Sequence, residues 1–140
     1  MLARAGVAGL FCLVLAGCGT AGQSDQTPAF AGIAETETIR AVGTEPFWNA
    51  VIADGRLTYT TPEDMTGQAL LVRRFAGNNG LAFNGTLDTR PFDLLVTKGD
   101  CSDGMSDRTY PFAATLRIGE EQRSGCAWTD RQPFAGPRSP

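Results

Sequence analysis

Short runs of alternating apolar and polar residues, separated by turn-forming residues, occupy most of the chain after residue 37. Leu57 and Tyr59 alternate with polar neighbours in one such run, and Phe112, Ala114, Leu116 and Ile118 alternate in another. A period of two indicates a strand with one buried face. The pattern predicts eight strands, at residues 38–42, 47–53, 56–61, 69–76, 81–87, 92–97, 112–118 and 122–128.

The segments between these runs are turns, and none of the sequence has a convincing helical period. Asp54-Gly55 is a strong hairpin signal, and Gly77-Asn78-Asn79-Gly80 is a second turn. Many short strands joined by short turns favour an all-β antiparallel meander, closed into a small barrel or packed as a sandwich. Closure would also remove exposed strand edges. We therefore expect a small barrel of about eight strands, filled by side chains or holding one small ligand.

The first seventeen residues have the pattern of a secretory signal. Arg4 is their single charge, and an apolar run follows it that is too short to span a membrane. The segment Leu15-Ala16-Gly17-Cys18 resembles a bacterial lipobox. The resemblance implies cleavage before Cys18 and lipidation of Cys18, which would anchor the protein to a membrane. Gly19, where many inner-membrane lipoproteins carry Asp, favours the outer membrane facing the periplasm. The alternative is an ordinary secreted protein with a chance cysteine at this place.

Composition divides the remaining chain into three parts. Residues 18–34 are small and polar and are predicted to be a flexible tether. Residues 35–130 carry the strands and form one domain, and residues 131–140, with three prolines, are predicted to be an unstructured tail.

Cys101 and Cys126 remain once Cys12 leaves with the signal and Cys18 is lipidated. An even pair outside the cytoplasm favours a disulfide, which would stabilise the domain by roughly 3 kcal/mol. The alternative, a thiolate nucleophile, lacks a histidine base, because the chain contains no histidine.

Charge and the missing histidine exclude several classes of function. Serine–histidine and cysteine–histidine catalysis and imidazole metal sites are excluded. Without Arg4 the chain has eleven basic and fifteen acidic side chains, a net charge of −4. An acidic chain without a basic cluster is a poor nucleic-acid binder. We expect no catalytic activity, no cofactor and no metal.

The polar segment 99–111 is the candidate binding loop. Asp103, Ser106, Asp107 and Arg108 could form a rim that contacts a ligand, with Arg108 holding a carboxylate or phosphate. Alternatively, Asp103 and Ser106 bond their own loop backbone while Asp107 pairs with Arg108 or Lys98. A calcium site formed by the loop aspartates is a third reading, although their spacing does not match an EF-type loop.

Three further residues complete the candidate set. Glu45 could meet the loop across the rim or could be a solvated turn residue. Trp48 and Tyr110 could contact a ligand, but large aromatic residues in a small β-domain more often fill the core.

Two motifs carry a family resemblance. They are Gly43-Thr44-Glu45-Pro46-Phe47-Trp48 and the segment from Cys101 to Pro111, which reads CSDGMSDRTYP. Together they resemble a family of uncharacterised bacterial lipoproteins and predicted membrane proteins, for which no activity is implied. The layout is also similar to META/HslJ-type domains and to lipoprotein inhibitors of lysozyme. The sequence thus predicts a lipid-anchored binding module of the cell envelope, whose partner is an envelope protein, a glycan or a small ligand; the alternative is an inhibitor of a hydrolase such as lysozyme.

Overall fold

The computed structural model describes residues 27–138, and its regular structure consists of nine antiparallel β-strands. The strands are β1 (Ile39–Thr44), β2 (Phe47–Ala53), β3 (Arg56–Thr61), β4 (Asp64–Leu71), β5 (Arg73–Ala76), β6 (Gly80–Leu87), β7 (Arg90–Cys101), β8 (Tyr110–Ile118) and β9 (Glu121–Thr129). Within residues 27–138, no helix is long and apolar enough to cross a bilayer.

The strands form one sheet that curls into a nearly closed barrel. Their order is β4-β3-β2-β1-β9-β8-β7-β6-β5, so every pair of consecutive strands except β4 and β5 is hydrogen-bonded, and β1 also pairs with β9. The two ends of the sheet, β4 and β5, are consecutive in the chain and meet at Val72. One bent segment therefore pairs with β3 in its first half and with β6 in its second half. This confirms the all-β barrel, with eight positions around the wall.

Most strand predictions hold to within a few residues, and the Asp54-Gly55 turn joins β2 to β3 as expected. Both residues have positive φ, as a type I′ hairpin requires. Two strands differ from the prediction. Asp64–Gly67, predicted as a loop, belong to β4, and β7 continues past residue 97 to Cys101. Exposed side chains dominate the start of β4, so alternation gave no signal there.

Side chains fill the barrel interior. Ile39 pairs with Ile52, and Ile52 pairs with Leu57; all three are buried. On the opposite wall, Phe92, Leu94, Val96 and Leu116 are also buried. The interior is a packed core rather than a ligand cavity.

The N-terminal segment caps one end of the barrel. Ile33 is 1% exposed and belongs to the core, and Phe30 packs edge-on against Phe112 with ring centroids 6.5 Å apart. The Phe30 amide donates to the carbonyl of Gly77 at 2.7 Å. We call this end, which also carries the 54–55 and 77–79 turns, the capped end. The folded domain thus extends upstream of residue 35, into the predicted tether.

The folded domain also extends past residue 130, into the predicted tail. Thr109 and Ala135 exchange backbone hydrogen bonds of 2.9 Å. Phe134 packs against Tyr110 and Trp128, with ring centroids 5.3 and 5.5 Å away. Residues 131–138 therefore cover part of the barrel's outer face.

Candidate functional site

The candidate loop begins at the end of β7 and folds back along the outside of the barrel. A disulfide joins Cys101 to Cys126 in β9, which confirms the predicted pair. Small outward residues of β8 and β9, including Ala113 and Ser124, lie under the first part of the loop. Thr44, at the end of β1, donates from its hydroxyl to the carbonyl of Asp103 at 3.0 Å. The loop therefore reaches the β1–β2 hairpin.

Asp103 organises this loop. Its Oδ1 accepts hydrogen bonds from the amides of Met105 and Ser106 at 2.9 and 2.8 Å. Its Oδ2 accepts the Ser106 hydroxyl at 2.7 Å and the Tyr110 hydroxyl at 3.3 Å. These donors stabilise the carboxylate and lower the pKa of Asp103 to about 2, with the Ser106 and Met105 amides as the main cause. Asp103 and Ser106 thus bond their own loop, as the second reading of the sequence proposed.

Arg108 is engaged with the chain's own C-terminal segment. Its Nε donates to the carbonyl of Pro137 at 2.7 Å, and its Nη2 donates to the carbonyl of Arg138. The guanidinium also lies 4.4 Å from the centre of the Phe134 ring. Asp107 is exposed on the same loop, and the expected pairing of Asp107 with Arg108 is replaced by these carbonyl contacts.

The two candidate aromatic residues are both buried. Tyr110 is 1% exposed and packs against Trp128 at 5.4 Å between ring centroids. Trp48 is 1% exposed and lies in the core opposite Gly43. A Cβ on Gly43 would lie 1.9 Å from the indole Nε1, and a Cβ on Gly125 would lie 2.8 Å from the indole ring. Two glycines therefore make room for this tryptophan. Its Nε1 has no hydrogen-bond partner among the described residues.

The end of the barrel opposite the cap carries an open cleft of about 750 Å³. We call it the cleft end; it is formed by the 45–46, 62–63, 88–89 and 119–120 turns. Its lining includes Glu45, Phe47, Tyr59, Glu63 and Arg123. Phe47 is 50% exposed at its rim, so the cleft offers an apolar surface beside charged groups.

Arg123 and Tyr59 form the polar centre of the cleft. Arg123 Nη1 donates to the Tyr59 hydroxyl at 2.7 Å, and Nη2 donates to Glu121 at 2.9 Å. Burial raises the pKa of Tyr59 above its usual value, and the positive charge of Arg123 opposes that shift. Tyr59 therefore stays neutral near pH 7, and its O–H can donate to a ligand while its oxygen accepts from Arg123.

A second opening of about 460 Å³ connects the cleft to the loop. Thr44, Glu45 and Arg123 line both spaces, and the loop residues Asp103, Gly104 and Met105 line only the second one. Met105 is 67% exposed. Glu45 and Asp103 thus both line this second opening. Ser106, Arg108 and Tyr110 instead stabilise the loop through their contacts with Asp103 and with the C-terminal segment.

Arg123 and Tyr59 did not emerge from the sequence. Arg123 shares its face of β9 with Gly125 and Ala127, while Cys126 and Trp128 point the other way. The outward Cys126 and Trp128 are buried by the loop and by the C-terminal segment, so the pattern of β9 gave no signal that Arg123 faces inward. Tyr59 was placed correctly on the inner face, but nothing in its strand marked it as part of a cleft.

No cluster of three or more His, Cys, Asp or Glu side chains suited to a metal ion occurs in the described part of the chain. Comparison with known proteins gives no match: no family model, no curated protein and no solved structure matches this chain.

Proposed function

We propose that this protein is a lipid-anchored binding module of the bacterial cell envelope that meets its partner at the cleft end. The observation that carries the proposal is the difference between the two ends of the barrel. The chain's own N-terminal segment fills one end, and an open cleft with exposed Phe47 occupies the other. We assign no catalytic activity to the cleft.

The lipobox-like segment supports the anchor, and the position of the cap supports the orientation. Eleven residues separate Cys18 from Phe30, where the chain reaches the capped end. At about 3.3–3.6 Å per extended residue, they span at most roughly 40 Å. A membrane anchor at Cys18 would therefore keep the capped end within roughly 40 Å of the bilayer, and the cleft end would stay accessible. Gly19, where many inner-membrane lipoproteins carry Asp, favours an outer-membrane location facing the periplasm.

The cleft supports the binding role. Its volume of about 750 Å³ lies within the range of roughly 300–1,000 Å³ typical of ligand sites. It combines an apolar side chain (Phe47), a neutral hydroxyl donor (Tyr59) and carboxylates (Glu45 and Glu63). This mixture suits an envelope protein, a glycan or a small polar ligand.

The anchor is tested by replacing Cys18 with alanine in the producing bacterium. We expect the Cys18→Ala chain to leave the membrane fraction, because no acyl chain can be attached, while a Thr20→Ala control stays in it. The measurement is immunoblotting of membrane and soluble fractions. Equal membrane recovery of both variants contradicts the lipid anchor.

The cleft is tested with a matched pair of variants on β2. Phe47 and Val51 lie on the same outer face and are 50% and 39% exposed, but only Phe47 belongs to the cleft lining. We expect Phe47→Ser to reduce recovery of the envelope partner by about tenfold or more, equivalent to about 1.4 kcal/mol, and Val51→Ser to leave it unchanged. The measurement is quantitative pull-down from envelope extract. Equal recovery with both variants contradicts binding at the cleft end.

One observation favours hydrolase inhibition as a second candidate function. Glu45 and Glu63 line the cleft and would suit a basic protein such as lysozyme. A lysozyme assay with excess purified protein decides this case. Full lysozyme activity contradicts the inhibitor function, and inhibition that is lost in the Phe47→Ser variant supports it.

A further inference from the structure

Three large apolar side chains lie exposed on the outer face of the barrel, near the bend that joins β4 to β5. Leu71 is 72% exposed, Phe75 is 66% exposed, and Leu95 is 39% exposed. Phe75 pairs with Ala82 in β6, and Ala82 pairs with Leu95 in β7, so these residues form a continuous row across three strands. Burial alternates from Leu71 to Ala76, which places Leu71 on the same side as Phe75.

Arginines border this apolar row. Arg56 pairs with Leu71, and Arg73 lies between Leu71 and Phe75 on the same side; both are exposed. In the next row, Arg73, Asn84, Asp93 and Arg117 are consecutive cross-strand neighbours. The carboxylate of this row, Asp93, accepts a hydrogen bond of 2.6 Å from the Asn84 amide. We call the surface formed by Leu71, Phe75, Leu95, Arg56, Arg73 and Arg117 the apolar–basic face.

The sign of the charge on this face is opposite to that of the whole chain. The chain has a net charge of −3, while the apolar–basic face carries three arginines, with one carboxylate, that of Asp93, next to Arg117. The four turns of the cleft end, in contrast, carry four carboxylates, those of Glu45, Glu63, Asp88 and Glu120, and no basic side chain. Exposed Leu and Phe side chains bordered by arginines are the composition by which proteins lie on anionic bilayers.

The path of the chain toward Cys18 begins beside this face. The Phe30 amide donates to the carbonyl of Gly77, two residues after Phe75. Anchoring at Cys18 would hold the face at high effective concentration next to the lipid surface, so a weak surface affinity would suffice.

We propose that the apolar–basic face lies on an anionic phospholipid surface, with Phe75 and Leu71 at the headgroup level and the arginines near lipid phosphates. This inference rests on the proposed lipid anchor for its geometry. It goes beyond the anchor by fixing which side of the barrel touches the membrane, and it leaves the carboxylate-rich cleft end directed toward the partner.

The test uses the full lipidated protein with an environment-sensitive fluorophore attached through Phe75→Cys. A matched control carries the same label through Asn49→Cys, which lies exposed on β2, outside the face. Cys101 and Cys126 form a disulfide and do not react with the label. The proteins are reconstituted into vesicles of phosphatidylcholine alone or with about one third phosphatidylglycerol, and flotation records attachment separately from the label signal.

We expect the label at position 75 to shift to the blue on the phosphatidylglycerol vesicles and to return toward its aqueous value in high salt. The label at position 49 should not change. Arg73→Glu combined with Arg117→Glu should reduce the shift at least threefold while flotation persists. This set of results supports contact between the face and anionic lipid.

Each other outcome overturns the assignment in a distinct way. If the protein floats with the vesicles but the label at position 75 does not shift, the contact between the apolar–basic face and lipid is contradicted, while the lipid anchor is supported. A failure to float contradicts the anchor and the face together. A shift on both kinds of vesicle that grows with protein density would place a second copy of the chain on this face and would contradict the lipid contact.

Discussion

At the scale of single residues, Asp103 determines the shape of the candidate loop. Its two carboxylate oxygens accept hydrogen bonds from two amides and two hydroxyls of the chain itself, so this candidate ligand contact is occupied by groups near it in the sequence. Its backbone carbonyl also joins the loop to Thr44. A short acidic side chain can direct a whole turn in this way because its carboxylate accepts several hydrogen bonds at once.

The lowered pKa of Asp103 predicts how the loop responds to acid. In the unfolded chain an aspartate titrates near 3.9, whereas Asp103 in the folded loop titrates at about 2. Its contribution to stability is therefore fully present above pH 3.9, declines as the pH falls, and is absent below pH 2. We expect the amide NMR signals of Met105 and Ser106 to move with an inflection near pH 2, and to lose that inflection in Asp103→Asn. An inflection near 3.9 would contradict the bonding described.

At the scale of elements, the strands were largely predictable from the sequence, while the coverings of the barrel were not. Alternation located β3 and β8, because buried apolar side chains alternate with more exposed residues along both strands. The strand predicted at residues 122–128 matches β9, but its pattern did not show that Cys126 and Trp128 point outward and are covered by the loop and by Phe134. When a segment far away in the sequence buries a residue, the local pattern of apolar and polar residues does not show it. The sequence therefore predicted neither the place of Arg123 in the cleft nor the packing of the C-terminal segment on the barrel.

The C-terminal segment provides a test at this scale. Arg108 holds the carbonyls of Pro137 and Arg138 and lies over Phe134, so Arg108→Ala should loosen the segment. The Thr109–Ala135 hydrogen bonds should then open more often. We expect amide hydrogen exchange of Thr109 and Ala135 to become about tenfold faster, corresponding to about 1.4 kcal/mol. An Arg131→Ala control should exchange like the parent, and equal rates in all three proteins would contradict the role of Arg108.

At the scale of the whole molecule, the folded domain includes segments on both sides of the nine strands that pack on the barrel. The composition of residues 18–34 predicted a tether because small and polar residues dominate it, and the single apolar residues Phe30 and Ile33 gave no periodic signal. Both nevertheless pack on the core, since the barrel end needs apolar side chains to exclude water. The overall barrel could be predicted from strand number and turns, because few arrangements satisfy them.

Ile33 therefore behaves as a core residue. Because it is 1% exposed, we expect Ile33→Ala to lower the free energy of unfolding by about 2–4 kcal/mol, as for other buried Ile residues. The neighbouring exposed Ala31 supplies a control, Ala31→Ser, with a change within about 0.5 kcal/mol. Urea denaturation followed by tryptophan fluorescence measures both. Equal midpoints for the two variants would show that the cap does not contribute to the fold.

The cap has a mechanical consequence for a tethered protein. A pull on the N-terminus first loads Phe30 and its single backbone bond to Gly77, and then the side chain of Ile33. Behind them, β1 is held by ladders to both β2 and β9, so it cannot peel away like a strand at a sheet edge. Tension along the segment that leads to the proposed lipid anchor would thus extract the cap while the barrel wall stays whole, so the cap would yield before the barrel unfolds.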